Sequence, residues 1–143
     1  MVEELKERIK KHEGFVPKIY RDSLGYATIG YGHLVLPTDH FEDGVTYSEE
    51  ELNEVFEKDF QNALDNANKL IKDIPLVYQA KEVICEMVFQ LGIGGVSKFK
   101  NMWKALDTED YGEASFQMLD SLWAKQTPAR AGKLAGKMRS SKL

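Results

Sequence analysis

The chain is poor in the residues that would staple it, anchor it or give it a metal. One cysteine among 143 residues rules out an internal disulfide and fits a reducing compartment. That Cys85 lies among Val83, Ile84 and Met87, the setting of a small buried hydrophobe and not of a nucleophile. No run of 18 apolar residues is present, so no transmembrane helix is expected. The opening Met1-Val2-Glu3-Glu4-Leu5-Lys6 is charged and lacks the apolar core of a secretory signal. The three histidines, His12, His33 and His40, fall in no ligand-like spacing, and a zinc site needs three or four well-placed ligands. No nucleophile motif for Ser-His-Asp hydrolysis exists. Gly92, Gly94 and Gly95 lack both the order and the preceding strand of a phosphate-binding loop. Neither metal nor cofactor is expected.

What is present suits one packed domain, or two small lobes sharing an element. Hydrophobic residues make up 43% and charged residues 29%, with a mass of 16.3 kDa. The net charge of −4 is unevenly spread: residues 1–72 carry −6 and residues 73–143 carry +2. From Lys125 onward there are six bases and no acids. Such a stretch attracts anionic polymers, yet no nucleic-acid motif accompanies it and the whole chain is acidic.

The periodicity predicts mostly helix. Val2, Leu5 and Ile9 share a face of a first helix over 2–12, with Gly14 as its stop. Residues 18–35 are short, β-branched and glycine-punctuated, predicting a hairpin, and Pro37 to Tyr47 a polar loop. Ser48-Glu49-Glu50-Glu51 forms a capping box ahead of a long amphipathic helix through Ile71. Tyr78 to Leu91 is apolar all round, the mark of a buried central helix, and the glycines at 92–95 predict a loop. Beyond lie a helical face with Phe99, Met102, Trp103 and Leu106, then a helix from an Asp107-Thr108 cap through Trp123. A final helix opens at Thr127-Pro128.

The chemistry concentrates in residues 11–34. Glu13 ends the first helix, Asp22 sits in the turn signal Asp-Ser-Leu-Gly, and Thr28 follows on a strand. Two carboxylates and a hydroxyl supplied this way suit acid-catalysed cleavage of a glycosidic bond. Phe15 and Ile19 offer apolar surroundings that would raise a carboxyl toward a general acid. Gly30 and Gly32 alternate along Ile-Gly-Tyr-Gly-His, letting something approach the backbone closely.

The set Glu13-Gly14, Tyr20-Arg21-Asp22, Gly25-Tyr26, Thr28-Ile29-Gly30 and Gly32-His33-Leu34 closely resembles the T-even type of phage lysozymes, glycoside hydrolase family 24. Met87-Val88-Phe89-Gln90-Leu91-Gly92 with Gly95-Val96, and Trp123 with Gln126-Thr127-Pro128 and Arg130-Ala131, extend the resemblance over nearly the whole chain. It implies an α+β, predominantly helical, lysozyme-like fold. A small β-containing lobe (about 13–60) and an all-helical lobe (about 73–143, plus helix 2–12) would be joined by a long helix of about 48–71.

The resemblance also implies hydrolysis of the β-1,4 bond between N-acetylmuramic acid and N-acetylglucosamine in peptidoglycan, with inversion at the anomeric carbon and without a cofactor. Glu13 would be the general acid, and Asp22 and Thr28 would position the attacking water. Leu34, Phe89, Gln90 and Gln117 would contact substrate. His33 would pair with an acid, Arg130 would partner the catalytic Glu, and Trp123 would support the site. Met102 stands where the family pattern has a small hydroxyl residue. The implied partner is peptidoglycan, bound by a monomer without nucleic acid or stable membrane association. Accumulation in the host cytoplasm and release through a membrane pore would precede lysis. A non-catalytic wall-binding module and a lytic transglycosylase are the alternatives. Retention of Asp22 and Thr28 favours hydrolysis, since a transglycosylase needs one acid and no positioned water.

Overall fold

The computed structural model describes residues 2–142, which divide into two compact units, 2–62 and 63–142. In chain order the elements are α1 (Val2–Glu13), β1 (Val16–Arg21), β2 (Ala27–Gly30), β3 (His33–Leu34), a 3-10 turn (Pro37–Asp39), α2 (Glu49–Ile71), α3 (Tyr78–Ser97), α4 (Lys100–Asp107), α5 (Tyr111–Leu119), α6 (Leu122–Gln126) and α7 (Pro128–Arg139). The fold is α+β and predominantly helical, as expected.

In the first unit α1 stops at Gly14, whose N–H bonds the Lys10 carbonyl at 2.9 Å and whose φ of +75° only glycine adopts cheaply. Leu5 and Ile9 are buried while Val2 stays partly exposed. The expected hairpin is a three-stranded antiparallel meander, ordered β1-β2-β3. Its register pairs Tyr20 with Thr28 and Arg21 with Ala27, then Thr28 with Leu34 and Ile29 with His33. Lys6 reaches Glu57 at 2.7 Å and Lys10 reaches Asn53 at 2.6 Å, tying α1 to the first half of α2. α1 and the strands belong to the same compact unit. Rings Phe15, Tyr31, Phe56 and Phe60 form a continuous series with centroid spacings of 4.9, 5.4 and 6.1 Å.

Ser48 caps α2: the Glu51 N–H donates to Ser48 Oγ at 3.1 Å, and Ser48 Oγ, in place of the backbone N–H of a full capping box, donates to Glu51 Oε1 at 3.2 Å. It runs unbroken for 23 residues, about 35 Å at 1.5 Å per residue, and the division into units falls within it.

In the second unit α5 packs on α4 and α7, and α3 packs on α7. Ser115 Oγ donates to the Ala135 carbonyl at 2.8 Å inside this packing, and Gln79 Nε2 donates to the Lys137 carbonyl at 2.8 Å. Cys85 is buried, and burial, with Glu86 and Glu82 adding to it, pushes its thiol pKa up to about 12.

Four expectations are corrected in this unit. Gly92 (φ +79°) breaks α3, but helix resumes at once and reaches Ser97, so the glycines make a kink and no extended loop. The helix expected from the Asp107-Thr108 cap starts later: Asp110 is the N-cap, accepting the Glu113 N–H at 3.0 Å. That helix also ends at Leu119, because Ser121 caps a separate α6 by accepting the Ala124 N–H at 3.1 Å. Thr127 precedes Pro128 as predicted, but its hydroxyl donates backward to the Trp123 carbonyl at 3.0 Å instead of capping α7.

Candidate active site

Within the first unit, α1 delivers Glu13 at its last residue and the hairpin delivers Asp22 and Thr28. Asp22 is fixed by its own turn. Its Oδ1 accepts the N–H groups of Leu24 and Tyr26, both at 2.9 Å, while its backbone N–H donates to the Tyr26 carbonyl. This is the local geometry that Asp supplies to a tight turn. Thr28 is 95% buried, and its Oγ1 donates to the Tyr26 carbonyl at 3.0 Å. Tyr20, Thr28 and Leu34 are successive register partners, so they form one row across the sheet.

Two observations place Glu13 beside the strands that carry Thr28 and flank the Asp22 turn. Burial, and after it the carboxylates of Glu13 and Asp22, raise the Tyr20 phenol above its ordinary pKa. Glu13 also lies against Gly32, where a Cβ would collide with its carboxyl Oε1. The visitor that the glycines admit is therefore a side chain of the protein itself. Gly30 is used the same way, with Leu52 Cβ 3.4 Å from where a Cβ would stand.

His33 pairs with two acids. Its Nδ1 lies 2.7 Å from Asp59 Oδ2 and its Nε2 2.9 Å from Asp39 Oδ2. The hydrogen bond to Asp59 outweighs the opposing effect of burial, Asp39 adds to it, and the His33 pKa rises to about 9. Burial works to raise Asp39, but the Leu36 N–H at 2.6 Å and His33 hold it below its ordinary value. Both Asp residues escaped the sequence reading, which named a single unspecified partner. The only available signal was chemical: a half-buried imidazole needs partners on both nitrogens.

The other candidates sit in the second unit. Trp123 Nε1 donates to Gln90 Oε1 at 2.9 Å, and its ring meets Phe99 edge-on at 5.9 Å. Phe89 precedes Gln90 on α3 and is half-buried. Gln117 donates to Glu113 Oε2 at 2.7 Å and, with Leu91, Met102 and Trp123, lines a cavity of about 430 Å³. Arg130 Nε donates to Glu86 Oε2 at 3.0 Å, and the Glu86 carboxylate is wholly buried. Glu86 was missed. Its signal was an acid flanked by Val83, Ile84, Cys85, Met87 and Val88 in the middle of a largely apolar helix, a position that demands a cation.

The sequence model of the phage lysozyme family matches residues 10–141. The chain belongs to the phage lysozyme family. Its fold is accordingly lysozyme-like. Relatives include the probable T4-type lysozyme 2 of Dictyostelium discoideum, 29% identical over 94% of this chain and 92% of that protein. The endolysin of Salmonella phage P22 is 29% identical over 82% of this chain and 79% of its own length. The peptidoglycan hydrolase gp36 of Pseudomonas phage phiKMV is 28% identical over 88% of this chain but 14% of itself.

Proposed function

We propose that this lysozyme cleaves the β-1,4 bond between N-acetylmuramic acid and N-acetylglucosamine, with Glu13 as general acid and Asp22 and Thr28 holding the attacking water. Family membership makes the chain a peptidoglycan-hydrolysing glycosidase. The finer reading is supported above all by one observation: within a single unit, the Glu13 carboxyl lies against Gly32, in the strand meander that also carries Thr28 and the Asp22 turn.

The hydrogen-bond roles suit a positioned water. Asp22 Oδ1 is committed to two backbone N–H groups, which makes Oδ2 the oxygen that would accept from water. The Thr28 hydroxyl proton is used on the Tyr26 carbonyl, so Oγ1 would act toward water as an acceptor. A water giving its protons to these two oxygens presents its lone pair to the anomeric carbon. Glu13 would protonate the departing glycosidic oxygen, and direct attack by water inverts the anomeric centre. Accumulation in the host cytoplasm, with release through a separate pore, completes the proposed role.

The test is turbidity loss of outer-membrane-permeabilised Gram-negative cells. Glu13→Gln is expected to lower the clearing rate by at least about 10²-fold, the usual worth of a general acid. Clearing at the wild-type rate would remove Glu13 from the mechanism. Products with 1,6-anhydro ends would replace hydrolysis by transglycosylation.

A further inference from the structure

Tyr20 holds a register position that neighbours both groups proposed to hold the attacking water. It lies directly across β1 and β2 from Thr28, and directly opposed residues of antiparallel strands project on the same face. It precedes Asp22 by two residues, a spacing that keeps side chains on one face of an extended chain. The hairpin pairing continues through Asp22, whose N–H bonds the Tyr26 carbonyl at 2.9 Å. Tyr20 itself is half-buried.

Neither Thr28 nor Glu13 has a proton to spare for Asp22. Thr28 has its proton on the Tyr26 carbonyl, an ionised Asp22 only accepts, and Glu13 must deliver its proton to the leaving oxygen. Burial and the two carboxylates disfavour ionisation of the phenol, so Tyr20 keeps its O–H as a donor throughout the working pH range.

We infer that Tyr20 is a positioning residue for hydrolysis, its hydroxyl donating to the Asp22 carboxylate in the substrate-bound enzyme and keeping that base ionised and oriented. The inference rests on the role proposed above for Asp22. A donor to the ionised form lowers a carboxyl pKa, so removing it moves the acidic limb of the pH profile upward.

Tyr20→Phe deletes the hydroxyl and keeps the ring. On soluble muropeptide oligomers this variant is expected to lose about tenfold in kcat with KM within about twofold. The acidic limb of the kcat profile is expected to rise by about 0.5–1 pH unit, with Tm nearly unchanged. Wild-type kcat with an unmoved acidic limb would overturn the inference, as would a loss confined to Tm. A second measurement stands apart from both folding of that variant and catalysis. With 3-fluorotyrosine at position 20, ¹⁹F NMR titration should show the phenol pKa falling when Asp22→Asn is introduced; an unchanged titration would overturn the placement. A fully active Asp22→Asn would refute the role of Asp22 separately, whatever the fluorine signal does.

Discussion

At the scale of single residues, two glycines with similar backbones make different demands. Gly25 (φ +86°) has nothing within 4 Å of where a Cβ would stand, whereas Gly32 (φ +76°) has the Glu13 carboxyl there. Gly25→Ala should therefore cost only the left-handed backbone penalty, about 1–2 kcal/mol, and retain full clearing. Gly32→Ala should cost as much in stability and, by displacing Glu13, lower activity by a further tenfold or more. Thermal unfolding beside clearing rates distinguishes the two effects. His33 makes a pH-dependent contribution whose sign follows from its raised pKa. The contribution is complete below about pH 6.5 and is lost as pH rises through about 9. The low Asp39 pKa acts oppositely, helping above its ordinary value of 3.8 and failing as pH falls below it. A shift of that size in His33 caps its effect at about 3 kcal/mol, and partial exposure of the two carboxylates leaves roughly half. The Tm gap between wild type and His33→Gln is thus expected to be widest near pH 5–6 and to shrink toward pH 10.

Secondary-structure elements stood out in the sequence wherever one local signal acted without competition. Ser48 with Glu51 is such a signal. Ser48→Ala should destabilise by about 1 kcal/mol, and Asp110→Ala by about the same, because each removes the oxygen that accepts a first-turn N–H; urea unfolding reads both. The start of α5 was misplaced because Asp107, Thr108 and Asp110 all offer cap chemistry within four residues, and side-chain pattern alone does not choose among them. Asp107 in fact closes α4, and Thr108 turns its hydroxyl back to the Ala105 carbonyl. The α5–α6 break was hidden because Met118, Leu122 and Trp123 keep helical spacing across it, while Ser121 terminates and restarts the backbone. For the site, Glu13, Asp22 and Thr28 could be named from motif and position, and His33 from its chemistry. Glu86, Asp39 and Asp59 could not, because pairing over separations of 44, 6 and 26 residues is decided by tertiary folding.

On the scale of the whole molecule, charge is segregated along the chain: −6 over residues 1–72 against +2 over 73–143. Lys133 and Arg139 are exposed on α7. If this basic stretch draws the enzyme to an anionic wall, clearing should slow as salt rises from about 10 to 200 mM, where the screening length falls below about 10 Å. Reversing both charges, Lys133→Glu with Arg139→Glu, should weaken wall binding in a pull-down on purified sacculi and flatten that salt dependence. Activity on soluble oligomers should stay within about twofold. Equal sacculus binding by the double variant would assign the basic stretch to solubility alone.

The solitary buried thiol also makes the protein its own stopwatch. Cys85 sits in the interior of α3 with a pKa pushed to about 12, so an alkylating reagent at neutral pH finds neither access nor thiolate in the closed state. Every labelling event then records one opening of the second unit around α3. The rate, set against that of a free peptide thiol, gives the opening free energy under fully native conditions. Because no second cysteine competes, the same clock can be read in the wild-type chain and in each variant above without adding a probe.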